Sequence, residues 1–169
     1  MTEQRIGLDS NCLSYLIDAI TNVIEPSDVQ RDQRIAIVRV WFYVTGTYYV
    51  TDTVVTECAK IRDTNRQKLH SDFITALLFE EPASNSLVIQ ARTQNLFLSH
   101  PKWNDCRVLA EGEDIDLDTL LTCDYDFGTR LAGQSQITKL VTPSEFWIRL
   151  NIPRGVPPRV AEIVKLVVA

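Results

Sequence analysis

The sequence lacks several features that would assign it to a protein class at once. It has only 2 histidines, and its 4 cysteines include no CxxC pair of the kind that zinc sites use. No apolar stretch approaches the roughly 20 residues that cross a bilayer. The N-terminus lacks the basic and then apolar pattern of a signal peptide. We therefore expect a soluble, cytoplasmic protein with no membrane contact.

Repeats, low-complexity runs and linkers are also missing, and 6 glycines and 7 prolines are scattered along the chain. A length of 169 residues with 45% hydrophobic side chains is typical of one domain with a real core. Three prolines after Ile152 mark an irregular link before a last apolar stretch. We expect a domain over residues 1–152 and a C-terminal extension over residues 153–169 that packs on the same domain.

An excess of basic charge is absent too, since 17 Lys and Arg oppose 22 Asp and Glu for a net charge of −5. A protein that coats DNA by general electrostatics would carry the opposite sign, so any nucleic-acid contact must be local. In a reducing cytosol the cysteines are expected to be buried thiols rather than disulfides. They are Cys12, Cys58, Cys106 and Cys123.

The hydrophobic pattern alternates between strands and helices. The predicted strands are Arg5–Leu8, Thr47–Val50, Thr119–Cys123 and Lys139–Thr142. Helices are predicted over Leu13–Ile24, from Asp28, around Glu57, over Leu69–Leu78, over about Lys102–Gly112 and from Pro143, with a loop at Glu80–Ser86. Strands separated by helices pair in parallel and carry helices on both faces. Ligands of such sheets bind at the carboxyl ends of the strands, where the strand order reverses.

Four carboxylates fall at that edge of the predicted sheet. Asp9 and Asp124 each follow a strand, Glu57 lies on the helix after the second strand, and Asp105 lies near a helix start. Two such charges 4 Å apart repel by about 4 kcal/mol at an effective dielectric constant near 20. Mg²⁺ or Mn²⁺ would compensate them, and these ions activate water and neutralise charge on a phosphodiester. Each aspartate taken alone is more typical of a helix cap or a turn.

Short motifs surround these acids in a fixed order. They are Leu8-Asp9-Ser10-Asn11, Val54-Val55-Thr56-Glu57, Asn104-Asp105 and Leu121-Thr122-Cys123-Asp124-Tyr125-Asp126-Phe127. The ordered set resembles the PIN-domain family of nucleases across nearly the whole chain. The resemblance implies a three-layer α/β/α sandwich with a mostly parallel five-stranded sheet. It also implies metal-dependent hydrolysis of RNA that leaves a 5′-phosphate and a 3′-hydroxyl.

The resemblance assigns roles residue by residue. It implies that Asp9, Glu57, Asp105 and Asp124 are the catalytic acids and the ligands of Mg²⁺ or Mn²⁺. Asp126 matches a supplementary metal-binding acid. Ser10 and Asn11 match the polar pair beside the first acid, where Asn11 would orient Asp9.

The hypothesis is a metal-dependent endoribonuclease that is the toxin of a toxin–antitoxin pair and is inhibited by a small antitoxin protein. A homodimer is an expectation from the resemblance alone. Lys60, Arg62 and Arg66 follow Glu57 closely and are candidate contacts for RNA phosphates. An exposed helix surface with ion-pair partners such as Asp63 explains each of them at least as well. An RNA-processing nuclease and a non-catalytic module that binds RNA or protein also remain open.

Other enzyme classes fit less well. His70 and His100 are expected at the surface or at helix ends, which argues against a histidine acid–base ribonuclease. A haloacid-dehalogenase phosphatase would need Asp-x-Asp after the first strand, where position 11 is Asn. No phosphate-binding GxxxxGK[ST] loop occurs. The acidic run from Glu111 to Asp118 is interpreted as a solvated loop.

Overall fold

Five parallel strands form the centre of the computed structural model, which describes residues 3–22, 27–82 and 86–159. The strands are β1 (Gln4–Leu8), β2 (Gly46–Val50), β3 (Phe79–Glu80), β4 (Thr119–Leu121) and β5 (Lys139–Val141). Their order in the sheet is β3-β2-β1-β4-β5, and every neighbouring pair is parallel. The predicted parallel sheet is confirmed. The short strand β3 was not predicted, and Glu80 belongs to it rather than to a loop.

Eight helices connect and flank the strands within the described residues. They are α1 (Ser10–Thr21), α2 (Arg31–Tyr43), α3 (Asp52–Cys58), α4 (Thr64–Leu77), α5 (Ser86–Phe97), α6 (Trp103–Asp114), α7 (Tyr125–Leu131) and α8 (Pro143–Leu150). Helix α1 packs on α2, α2 packs on α8, and α5 and α3 pack on α6. The predicted helix over Leu69–Leu78 is the second half of α4, and the helix expected from Asp28 begins at Arg31. Helices α5 and α7 were not predicted.

Two sequence predictions fall partly outside the described residues. The first helix was predicted to end at Ile24, which lies outside the described residues. Residues 160–169 of the predicted C-terminal extension also lie outside them. Within the described ranges, no helix has the length and apolar character needed to cross a bilayer.

Local capping explains where several helices begin. The Asp9 carboxylate accepts a hydrogen bond from the Cys12 N–H and caps α1, and Asp63 caps α4 in the same way. Helix α8 starts with a capping box in which Thr142 and Glu145 bond each other's backbone N–H groups, followed by Pro143 at the first position. The capping residues at these three positions in the sequence therefore mark where α1, α4 and α8 begin.

The core lies between the sheet and the helices around it. Ile6 and Leu8 of β1 are fully or almost fully buried, as are Leu13, Leu16 and Ile17 of α1. Such spacing along α1 places one apolar stripe against the central strand. All four cysteines are buried free thiols, which confirms the prediction for them.

Two predictions about polar residues were wrong. His70 is buried within α4, at 0% accessibility, rather than at the surface or at a helix end. His100 follows the end of α5, as one of the two expected placements had it, but it is buried at 1% accessibility. His70 Nε2 lies 3.0 Å from Ser14 Oγ and its Nδ1 lies 2.8 Å from the Arg66 carbonyl oxygen, so its burial is satisfied by hydrogen bonds. The acidic run is not a solvated loop throughout, because Glu111 is buried inside α6.

The strand order places a reversal point beside β1. The chain adds β2 and β3 on one side of β1 and then returns to add β4 and β5 on the other side. The carboxyl ends of β1 and β4 therefore face the crevice where open α/β sheets bind ligands.

Candidate active site

A cavity of about 210 Å³ opens at this reversal point, and the four predicted acids share it. Its lining comprises Asp9, Ser10, Asn11, Glu57, Lys102, Asp105, Val108, Asp124 and Phe127. The first acid follows β1 directly, and its N–H donates to the Leu121 carbonyl oxygen of β4 over 3.0 Å. The fold thus brings together acids that are up to 115 positions apart in the sequence.

Asp9 is the most buried of the four acids, with 6% of its surface exposed. Its Oδ1 accepts from the Cys12 N–H over 2.7 Å, and its Oδ2 accepts from the Thr122 hydroxyl over 2.5 Å. Burial raises the pKa of Asp9 to about 6, against the opposing effect of these hydrogen bonds, and the charge of Asp105 raises it further. Asp9 is therefore held in one orientation at an energetic cost that a nearby cation would reduce.

Glu57 reaches the cavity from α3. The Ser10 hydroxyl donates a short hydrogen bond to Glu57 Oε2, and the Asn104 amide donates to Oε1 over 2.8 Å. Ser10 is the first residue of α1 and Asn104 lies in the first turn of α6. The carboxylate thus links three helices at the rim of the cavity.

Asp105 lies in the first turn of α6 beside a buried imidazole. His100 Nε2 lies 2.7 Å from Asp105 Oδ2, and the imidazole stacks on Phe127 with ring centroids 6.0 Å apart. Burial raises the pKa of Asp105, although His100 and Lys102 act in the opposite direction. His100 therefore orients this acid from the interior of the protein.

Asp124 caps α7, because its Oδ1 accepts from the Phe127 N–H over 3.1 Å. Its Oδ2 lies 2.5 Å from the Lys102 ammonium. Burial pushes the pKa of Asp124 upward, but the hydrogen bonds from Lys102 and Phe127 outweigh it and leave this pKa below its ordinary value. Lys102 lies at the N-terminus of α6 and is also 4.0 Å from Asp105 Oδ2.

The chemistry of the cavity suits a hard divalent cation, since four carboxylates supply oxygen ligands. The lysine ammonium already acts as a positive counter-ion between two of them. As the side chains stand, no group of three or more His, Cys, Asp or Glu in residues 3–22, 27–82 and 86–159 is arranged to hold a metal ion. The four carboxylates thus have the donor chemistry for such an ion, but in this arrangement each is engaged with protein partners and they are not placed to share one ion.

The other predicted site residues lie in different surroundings. Asp126 is exposed in the first turn of α7 and is not part of the cavity lining, although its charge contributes to raising the pKa of Lys102. Lys60 and Arg62 are exposed outside the cavity. Arg66 forms a two-pronged ion pair with Asp18, at 2.7 and 3.1 Å.

Sequence reasoning assigned no role to four residues that contact the acids. They are His100, Lys102, Asn104 and Thr122. Two of them stand inside motifs that carry the PIN resemblance, namely Asn104 beside Asp105 and Thr122 before Asp124. The other two gave no signal beyond their nearness to Asp105 in the sequence.

Comparison with known proteins supports the fold. No protein-family model matches the sequence, and no curated protein matches it. The structure of VapBC2 from Rickettsia felis bound to a promoter DNA fragment aligns with a TM-score of 0.54 and 12% identity, over 82% of this chain and 98% of that chain. A toxin–antitoxin complex from Klebsiella pneumoniae aligns with a TM-score of 0.53 and 18% identity, over 82% and 97% of the two chains.

A third solved structure is the Mycobacterium tuberculosis toxin VapC20, described as cleaving the sarcin–ricin loop. It aligns with a TM-score of 0.54 and 12% identity, over 73% of this chain and 93% of that chain. Identities this low establish the fold and nothing finer. The chain has the α/β fold of VapC toxins, which confirms the expected PIN-like architecture.

Proposed function

We propose that this protein is a divalent-cation-dependent endoribonuclease. The observation that carries the proposal is the convergence of Asp9, Glu57, Asp105 and Asp124 on one cavity at the reversal point of the sheet. Carboxylates that are brought close together repel one another. Lys102 offsets this repulsion only beside Asp105 and Asp124. Helix caps and hydrogen bonds explain each acid taken alone, and the proposal accounts for the presence of all four in one cavity.

The four acids would hold Mg²⁺ or Mn²⁺, and Asp126 would supplement them from the first turn of α7. When bound, such an ion activates water and stabilises negative charge on a phosphodiester. The other residues of the site hold the acidic side chains in their orientations. Thr122 and the Cys12 N–H orient Asp9, and Ser10 and Asn104 orient Glu57.

RNA is the proposed substrate. This chain shares its fold with VapC20, a toxin that cleaves the sarcin–ricin loop. We propose that this chain is likewise the toxin of a toxin–antitoxin pair with a small antitoxin partner, as the neighbouring complexes suggest. The phosphates would be contacted by exposed Lys60 and Arg62. Arg66 would join them once its ion pair with Asp18 is broken. A homodimer is the expected assembly.

Cleavage of a panel of single-stranded and hairpin RNAs by the purified full chain tests this proposal. We expect cleavage with Mn²⁺ or Mg²⁺, products with a 5′-phosphate and a 3′-hydroxyl, and no cleavage in EDTA. Asp9→Asn should lower the rate by at least about 100-fold, since even residues that only orient metal ligands cost 10- to 100-fold. Asp72→Asn on the exposed face of α4 is the matched control and should cleave like wild type.

Failure to cleave any RNA in the panel with either ion would contradict the enzyme proposal. Binding of RNA under those conditions without cleavage would instead favour a non-catalytic binding module.

A further inference from the structure

Lys102 places a positive charge inside the acidic cavity. Its Nζ lies 2.5 Å from Asp124 Oδ2 and 4.0 Å from Asp105 Oδ2, and its side chain lines the cavity together with all four acids. A lysine amine carries a positive charge at neutral pH. The protein itself therefore already places one positive charge beside these two carboxylates.

We propose that Lys102 is a tethered competitor of the divalent cation, which must displace the lysine ammonium from Asp105 and Asp124 in order to bind. This inference rests on the proposed function. Two cations cannot approach the same carboxylate oxygens without repelling each other. Lys102 therefore weakens cation binding and sets the concentration at which the site fills.

The surroundings of Lys102 allow it to move away. Its side chain is 53% exposed, and an ammonium on a flexible four-carbon stem is strongly hydrated when it turns to solvent. Lys102 precedes α6 without making a side-chain capping bond, so its departure costs the helix no hydrogen bond. The displacement therefore leaves the fold of α6 intact.

The acids that Lys102 bridges keep other partners when it leaves. Asp105 retains its hydrogen bond to buried His100, and Asp124 retains the Phe127 N–H at its other oxygen. Both carboxylates thus keep a partner that orients them, while Asp124 Oδ2 loses its hydrogen bond to the ammonium and Asp105 loses a cation 4.0 Å away. Removal of the Lys102 ammonium therefore opens the site between Asp105 and Asp124 without disordering these carboxylates.

Titration of Mn²⁺ into the full chain by calorimetry tests the inference, with Lys102→Met as the variant. Methionine keeps an unbranched side chain of similar length and removes only the charge. The matched control is Lys68→Met, because Lys68 pairs with Asp72 on α4 at the same 2.5 Å and its loss changes the net charge equally. We expect Lys102→Met to lower the Mn²⁺ dissociation constant roughly 1.5- to 5-fold, the range that an exposed ion pair sets, and Lys68→Met to leave it unchanged.

A second readout follows the lysine directly. Titration with diamagnetic Mg²⁺ should shift the ¹³Cε–¹Hε resonance of Lys102 and leave that of Lys68 in place. If methionine at position 102 prevents folding, Lys102→Gln serves in the calorimetric experiment. A gain in affinity cannot arise from loss of structure.

The inference is overturned if Lys102→Met and Lys102→Gln bind Mn²⁺ no more tightly than wild type, or if Lys68→Met gains as much. If wild type still binds Mn²⁺ and cleaves RNA in that case, the proposed function stands without the inference. If neither wild type nor the Lys102 variants bind Mn²⁺, the proposed cation site and the inference both fail.

Discussion

At the scale of single residues, Asp9 carries the highest energetic cost in the site. It is almost fully buried and its pKa is about 6, compared with an ordinary value of 3.8. The folded chain therefore binds more protons at Asp9 than the unfolded chain does between these two pH values. Through this group, the free energy of unfolding falls as pH rises from about 4 to about 6 and stays low above that.

Asp9→Asn should remove this cost. Asparagine can still accept from the Cys12 N–H, and its amide can donate to the Thr122 hydroxyl oxygen. In chelator at pH 7.5, we expect the variant to be more stable than wild type by ~1–3 kcal/mol, because one pKa unit corresponds to about 1.4 kcal/mol. The difference should shrink toward zero near pH 4. Urea denaturation at both pH values measures it.

Asp72→Asn, at an exposed position on α4, is the control for the change from a carboxylate to an amide. An Asp9→Asn variant that is less stable than wild type at pH 7.5, or a difference that does not depend on pH, would contradict the assignment of a buried, strained carboxylate.

The partners of the acids show where residue-level prediction stops. The four acids could be chosen because strand ends and helix starts are visible in the local pattern. Thr122 is 113 positions from Asp9, and Lys102 is 22 positions from Asp124. The packing of the whole fold decides which polar groups face each other over such separations. The local sequence pattern does not predict these contacts.

At the scale of secondary-structure elements, a buried carboxylate joins the helices that carry two of the acids. Glu111 of α6 accepts from the Thr53 N–H over 3.0 Å and from the Thr53 hydroxyl over 2.8 Å. Thr53 lies in the first turn of α3, where backbone N–H groups have no partner within the helix. Glu111 thereby fixes the start of α3, which carries Glu57, against α6, which carries Asp105.

Glu111→Ala should be strongly destabilising. The substitution leaves the Thr53 N–H and hydroxyl buried without an acceptor and removes the ion pair with Arg107. We expect a loss of about 3 kcal/mol in the free energy of unfolding, since breaking a buried hydrogen-bonded charge pair costs about 3–5 kcal/mol and Arg107 is partly exposed. Chemical denaturation in urea measures the loss.

Glu111→Gln is the conservative comparison, because its amide oxygen can still accept from Thr53. It should lose less stability than Glu111→Ala. An ordinary surface substitution changes the free energy of unfolding by no more than about 0.5 kcal/mol. If Glu111→Ala changes it by no more than that, Glu111 does not anchor α3 to α6.

The elements that sequence analysis found and missed differ in their local signals. Helix α1 has an acidic cap and one apolar stripe, and α8 has a capping box with proline, so both were visible. Helix α5 buries Ile89 and Leu96 but exposes Leu87 and Leu98 nearby, so its apolar residues mark no single face. Strand β3 has two residues, too few for any alternation to show.

At the scale of the whole molecule, strand order explains why the acids meet. The chain returns past β1 to form β4, and this places the residues after both strands at one crevice. The alternation of strands and helices in the sequence was sufficient to predict that the acids lie at the carboxyl ends of the strands. The counter-ion inside the crevice was not predictable, because a net charge of −5 gives no indication that a lysine is placed among the acids.

The central claim is that Asp9, Glu57, Asp105 and Asp124 form one cation site. Crystals of the full chain grown or soaked with Mn²⁺, with diffraction data collected at the manganese absorption edge, test it most directly. The account predicts an anomalous density peak within the cavity between these carboxylates, with the Lys102 ammonium moved away from Asp124. No peak there at saturating Mn²⁺, or peaks only at other surface acids, would contradict it.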